Sequence, residues 1–312
     1  MGSIGLVTTD VDRAAGCLRR GGLVAIPTET VYGLGADADD ERAVGRIFAV
    51  KARPAGHPLI VHISGPADLP DWAAEVPPAA ELLAGTCWPG PLTLLLPRAG
   101  RVSDAVTGGR DTVGLRAPAH PLTQELLDRA GRGIAAPSAN RFGRVSPTTA
   151  GHVLADLGAF LDPATDVILD GGPAPIGVES TIVDCTTEPP QLLRPGGIPT
   201  EDIERLLDLG LAPASGGARA PGMLTTHYSP AATVVLAADR RAAGELATGL
   251  EGDGHKVAVL DFDDDLVAYA RQLYQSLRDA DAAGADHVVA VLPPAQGLGH
   301  AIRDRLEKAA AG

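Results

Sequence analysis

GLVAIPTETVYGLG, residues 22–35, begins with the short apolar run LVAI and passes without a break into hydroxyls, a carboxylate and glycines. An apolar run of that length, bounded by glycine and proline, reads as a buried strand. Polar residues at the end of such a strand stand where open α/β sheets hold ligands. Thr28 and Thr30 offer hydroxyls to a small polar molecule. The same segment reads equally as a tight loop whose glycines satisfy the backbone.

The pattern repeats on both sides. Residues 10–20 predict a helix capped by Thr9 or Asp10, and residues 40–50 a helix capped by Asp39 or Asp40. Strands are expected at 58–63, 92–96, 112–116, 134–140, 167–170, 179–184 and 191–197. Helices are expected over 121–131, from Thr148 or Thr149, and over 201–209. Residues 210–230 then lose periodicity and gain glycine and proline, which marks a linker or a long ordered loop. Beyond it, strands at 233–238, 256–262 and 287–293 alternate with helices over 265–280 and 298–311, a small parallel α/β layer. Leu266, Ala270, Leu273 and Leu277 fall on one helical face. The domains expected are 1–209, a linker or lid at 210–230, and 231–312.

The chain has 312 residues, too many for one small core. Its net charge is −13, and Lys51, Lys256 and Lys308 are its only lysines. That balance opposes coating nucleic acid by charge alone, but it permits a small basic pocket. Cys17, Cys87 and Cys185 lie far apart and form neither a metal-spaced pair nor a disulfide framework. The sequence lacks a secretory pattern at its start and a long apolar span, so a cytoplasmic protein is expected. The P-loop, the GxGxxG dinucleotide fingerprint and the GxSxG nucleophile elbow are all missing.

Lys51 and Arg53 would point the same way on an extended chain, as a solvated patch or as two cations aimed at one site. His57 and His62 lack a third metal-type neighbour, so no protein-held metal is expected there. Trp88 in WPGPLT reads as core or wall. PSANRFG, residues 137–143, with Ser146 and Thr148, is a hydroxyl-rich loop that could turn N–H groups toward phosphate. If Lys51, Arg53, Arg116 and Arg194 converge, the ligand is small and polyanionic. A nucleoside triphosphate with a carboxylic acid fits that description.

PTETVYGLG, KARPAGHPL, WPGPLT, VGLRAP, APSANRFGRVSPTTA, GGPAPIGVESTIVD and LRPGGI, spread over residues 27–198, resemble the Sua5/YciO/YrdC family. APGMLTTHYSP in the linker and LPPAQGLGHAIRDRLEKAA near the end resemble its two-domain type, with Ala220 where a serine is usual. The resemblance implies an α/β fold: a YrdC-like twisted open mixed sheet with a central cavity, plus a small Rossmann-like C-terminal domain. It implies synthesis of threonylcarbamoyl-adenylate and diphosphate from L-threonine, bicarbonate and ATP. The product would pass to a transferase that modifies tRNA, with weak tRNA contact conceivable. Carried over, it puts threonine near Thr30, His62, Arg116, Ala136 and Ser180. It puts ATP near Arg53, His57, Thr112, Ser138, Asn140, Ser146, Arg194 and Tyr228, with Mg2+ on the triphosphate. Lys51 and Asn140 would line the same cavity, and Lys51, Arg53 and Arg194 would carry the catalytic charge. The rival readings are an RNA-binding module on the same fold without synthesis, and a sibling enzyme of carbamoyl transfer.

Overall fold

The computed structural model describes residues 5–216, 220–223, 228–263 and 265–312. Fourteen strands occur among these residues. They are β1 (Val7–Thr8), β2 (Val24–Ile26), β3 (Gly33–Asp37), β4 (Ile60–His62), β5 (Leu92–Pro97), β6 (Thr112–Arg116) and β7 (Ile134–Ala136). There follow β8 (Val167–Leu169), β9 (Thr181–Asp184), β10 (Gln191–Arg194), β11 (Ala212–Pro213), β12 (Thr233–Ala237), β13 (Val257–Leu260) and β14 (His287–Val291). The first eleven form one mixed sheet in the order β1-β8-β2-β3-β7-β4-β6-β5-β9-β10-β11. The last three form a parallel sheet with β14 between β12 and β13.

The central strands are short and wholly apolar because both their faces are covered. β3 departs from the expectation. GLGAD was read as the end of a loop, yet it pairs antiparallel with both β2 and β7. Its glycine is the reason: a Cβ on Gly35 would sit 2.6 Å from Ile134 Cγ2 and 3.1 Å from Val24 O. Only a bare backbone fits between those neighbours.

Helix Glu41–Lys51 starts where expected, its first N–H groups bound by Asp40. It ends one residue later than expected, at Lys51, with Ala52 capping it in the left-handed region. Lys51 therefore belongs to a helix, and the extended 51/53 pair does not exist. Helices Pro78–Cys87 and Arg240–Gly252 were not anticipated. Pro78–Cys87 lacks a clear apolar stripe, because Ala and Gly fill most of its face. Helix Leu266–Ala282 buries Ala270, Leu273 and Leu277 as expected, and adds Tyr269 and Tyr274. Those tyrosines share one apolar cluster with Val31, Val145 and Val178, so the two sheets are joined by a common core.

The linker is not a free tether. Ala212–Pro213 adds β11 beside β10, and Ala220 packs with Leu95, Ile182 and Leu193. Tyr228 is buried at 1% exposure, and Ser229 donates its N–H to Gly143 O. Leu224 and His227, both within the APGMLTTHYSP run, lie outside the described residues. Among those described, no helix is long and apolar enough to cross a membrane.

Candidate active site

The ends of β4, β6, β7, β9 and β10 open on one cavity. Thr30, Arg53, His62, Arg116, Ala136, Ser138, Ser180, Arg194 and Tyr228 line it, so nine of the expected residues converge. A second cavity shares Arg53, Pro221 and Gly222 and adds His57, Arg110 and Phe142. Four expected residues line neither: Lys51, Thr112, Asn140 and Ser146.

Three of those four buttress the wall instead. Lys51 is 1% exposed and donates from Nζ to Ser138 O at 2.6 Å and to Asn140 O. Burial, followed by repulsion from Arg53, holds its pKa well below the usual lysine range. Asn140 donates to the carbonyls of Arg141 and Arg144 at 2.8 and 2.6 Å, which fixes the loop after Ser138. Ser146 donates to Glu179 Oε1 at 2.7 Å. Thr112 opens β6 in register with Pro97. Side chains near a ligand in sequence can still point into the loop that carries it.

One end of the cavity is built for an amino acid. Thr28 Oγ1 donates to Val31 O at 2.6 Å, so its single proton is used. The 2.8 Å contact between Thr28 and Thr30 must then be donated by Thr30, which leaves lone pairs on Thr30 Oγ1. His62 Nδ1 faces Ile134 O at 3.2 Å. A carbonyl only accepts, so the proton is on Nδ1 and Nε2 is an acceptor. Burial, with Arg116 next, lowers the His62 pKa to about 3, so the ring stays neutral. Arg116 stands beside these two acceptors. Its Nη2 lies 2.8 Å from Glu29 Oε1, an ion pair whose angles fall short of a hydrogen bond. Glu29, which stands between the two threonines and lines neither cavity, thus pairs with a site arginine, a partnership the sequence does not signal.

The other end is cationic. Arg53 donates from Nη2 to Pro58 O at 3.1 Å, and its buried Nε has no hydrogen-bond partner. Burial lowers its pKa to about 10, so it remains charged at neutral pH. Arg194 clasps Ser180, reaching both its carbonyl and its hydroxyl at 3.0 Å, and donates to Pro221 O at 3.0 Å. Gly222 comes so close that a Cβ there would stand 2.8 Å from the Tyr228 hydroxyl and 3.0 Å from Arg194 Cδ.

Residues 16–196 match the Sua5/YciO/YrdC family model, whose description reads telomere recombination. The chain belongs to the Sua5/YciO/YrdC family. Residues 198–311 match a second model, described as the C-terminal domain of threonylcarbamoyl-AMP synthase. A threonylcarbamoyl-AMP synthase of Pyrococcus abyssi is 46% identical, over 95% of this chain and 92% of its own. One of Bacillus subtilis is 40% identical, over 97% and 93%. The crystal structure of P. abyssi Sua5 complexed with L-threonine superposes with a TM-score of 0.91 at 44% identity, covering 96% of this chain and 94% of that one.

Two helices of the Sua5-type C-terminal unit, Leu266–Ala282 and Gly299–Ala310, also reach a residue of the cavity wall, which no local signal foretold. Glu179, in the cavity wall, accepts from Tyr274 and from Arg305, both of the C-terminal unit. Burial alone would push its pKa up, but Arg305 and Arg194 outweigh that and hold it at about 2.

Proposed function

We infer that this chain is a threonylcarbamoyl-AMP synthase, which joins L-threonine, bicarbonate and ATP and releases diphosphate. The observation that carries the reading is the pairing of two acceptors, Thr30 Oγ1 and His62 Nε2, with Arg116 at one end of a cavity whose other end is cationic. An ammonium and a hydroxyl suit the acceptors and a carboxylate suits Arg116. Serine or threonine meets all three demands, and the remaining space beside Ile60 and Ala136 accommodates a methyl group.

In this reading the threonine ammonium first gives a proton to solvent; the free amine then attacks the carbon of bicarbonate, and water leaves as the carbamate forms. A carbamate oxygen then attacks the α-phosphorus of ATP, and the bond to the bridging oxygen breaks as diphosphate departs. No side chain is needed as nucleophile. The site contributes proximity and a positive field on the triphosphate from Arg53 and Arg194. Lys51 contributes by shaping the Ser138–Asn140 loop rather than by touching phosphate.

Among the described residues no group of His, Cys, Asp and Glu is gathered to hold a metal, and Glu179 is already engaged by Arg305, Tyr274 and Ser146. The protein donors therefore do not fit a protein-held ion. Mg2+ is proposed to arrive on the triphosphate, held by its oxygens and water. Transfer of the product to a tRNA-modifying enzyme is part of the same proposal.

The test is mass spectrometry of a reaction with ATP, L-threonine and carbon-labelled bicarbonate. Threonylcarbamoyl-AMP carrying the label, with one diphosphate released, is the expected result. Folded protein that releases no diphosphate and forms no labelled adenylate would contradict it. An RNA-binding module without synthesis would give that negative outcome.

A further inference from the structure

Helix Gly299–Ala310 carries Arg305, whose side chain is 0% exposed. Its Nε donates to Glu179 Oε2 at 2.7 Å and its Nη2 to Pro195 O at 3.1 Å. Its guanidinium also lies over the Tyr228 ring, 5.2 Å from the centroid. Tyr228 in turn stacks on Tyr274, whose hydroxyl donates to Glu179 Oε2 at 2.8 Å. One side chain from the C-terminal unit thus touches the cavity wall at Glu179 and Tyr228 and at the carbonyl next to Arg194.

Interdomain adhesion alone does not require this place. Arg278 joins the two units through Asp156 at 2.7 Å, and neither residue lines the two cavities described above. Glu179 does line the first of them. A carboxylate in that wall opposes an incoming triphosphate unless a cation cancels it, and inside a protein such repulsion is weakly screened.

We propose that Arg305 is a positioning residue for nucleotide binding: it cancels and holds the Glu179 carboxylate, and seats Tyr228, so that a triphosphate meets Arg53 and Arg194 unopposed. The proposal rests on the reading of this cavity as the ATP and threonine site. It also gives the C-terminal unit a direct part in the site rather than a remote one.

The experiment is calorimetric titration of ATP, and separately of L-threonine, into the full chain, with melting curves alongside. The variants are Arg305→Met, Arg305→Lys, Arg305→Met with Glu179→Gln, and Arg278→Met. Arg305→Met should raise the ATP Kd about tenfold or more, the loss expected for a charged hydrogen bond, and change the threonine Kd less. Arg305→Lys should fall between. The neutral double variant should recover to within about threefold of the unmodified chain, because no buried charge is left unpaired. Arg278→Met should melt lower with its ATP Kd unchanged.

An Arg305→Met chain that melts lower yet binds ATP normally overturns the proposal. A double variant that binds as weakly as Arg305→Met also does so. Should Arg305→Met fail to fold, a double variant that binds ATP about tenfold or more weakly than the unmodified chain, or an Arg305→Lys chain that binds it as tightly, overturns the proposal. An unmodified chain that binds neither ATP nor threonine overturns this proposal together with the reading of the site. One that binds both but makes no adenylate counts against the synthase reading alone.

Discussion

His62 shows how a single residue acquires a role from its neighbours. Its proton is committed to Ile134 O, its ring is buried, and Arg116 stands near, so it offers one lone pair and no charge. Stability should record this. Between the ordinary value of 6.5 and about 3, the unfolded chain takes a proton that the folded chain refuses. The His62 contribution is therefore complete above 6.5 and is lost as pH falls through that window. Glu179, held at about 2 against an ordinary 4.5, contributes above 4.5 and is lost only at lower pH, so it does not confuse the upper part of the window. His57 and His152 are displaced downward too, so a direct comparison is needed. The stability gap between the unmodified chain and His62→Asn, from denaturant midpoints, should shrink by about 1.4 kcal/mol per pH unit below 6.5. A gap that stays constant from neutral pH to about 5 would rule the assignment out. Arg116 and Arg53 divide the ligands by position. Arg116→Ala should weaken threonine binding by about 1.5–3 kcal/mol and Arg53→Ala should do the same to ATP. Titrating each ligand into each variant checks it, and loss of ATP affinity with normal threonine binding in Arg116→Ala reverses the roles.

At the scale of elements, the ends of strands and helices matter more than their middles. Helix Glu41–Lys51 delivers an ammonium to the carbonyls of Ser138 and Asn140, and this crosslinks a helix C-terminus to the loop after β7. Lys51 is buried, so its removal bears on the fold as well as on the site. Lys51→Met retains much of the side-chain volume but donates nothing, leaving two carbonyls short of a partner. It should cost about 1–3 kcal/mol of stability and speed amide exchange over residues 139–144. Unchanged midpoints and exchange would show that the contact is dispensable. Strand positions, capping residues and the Leu266–Ala282 stripe were legible because each depends on neighbours within a turn or a few residues, although strands such as Ile134–Ala136 stop short of the expected 134–140. β3 was not, since its pairing depends on the space left by Val24 and Ile134, which are distant in sequence.

At the scale of the whole molecule, one stretch outside both sheets borders the site: Pro221, Gly222 and Tyr228 line the cavity. Tyr228 sits at φ 64, in the left-handed region, and is packed between Arg305 and Tyr274. A bulky residue held in that region is constrained by its surroundings. Covering the cavity in this way would protect an intermediate that readily loses carbon dioxide. Tyr228→Ala should lower the ratio of threonylcarbamoyl-AMP formed to diphosphate released by about threefold or more, with a smaller effect on the melting of the first sheet. An unchanged ratio would reduce the segment to a connector.

The sequence by itself determined the α/β class, the alternation of elements, the three-strand C-terminal layer and the motifs that mark the family. These follow from local periodicity, turn residues and short ordered runs. It also named nine residues that share one cavity, through the family resemblance rather than through spacing. Only the tertiary structure decided that Lys51, Asn140 and Ser146 support the wall instead of lining it, and that Glu29 and Glu179 face the site's arginines. Only it placed Arg305 and Tyr274 against Glu179 in the cavity wall. Arg305 stands 126 positions from Glu179, and no local pattern encodes a contact of that separation. Such a pair forms because two apolar cores merge and the charges trapped at their junction must be matched.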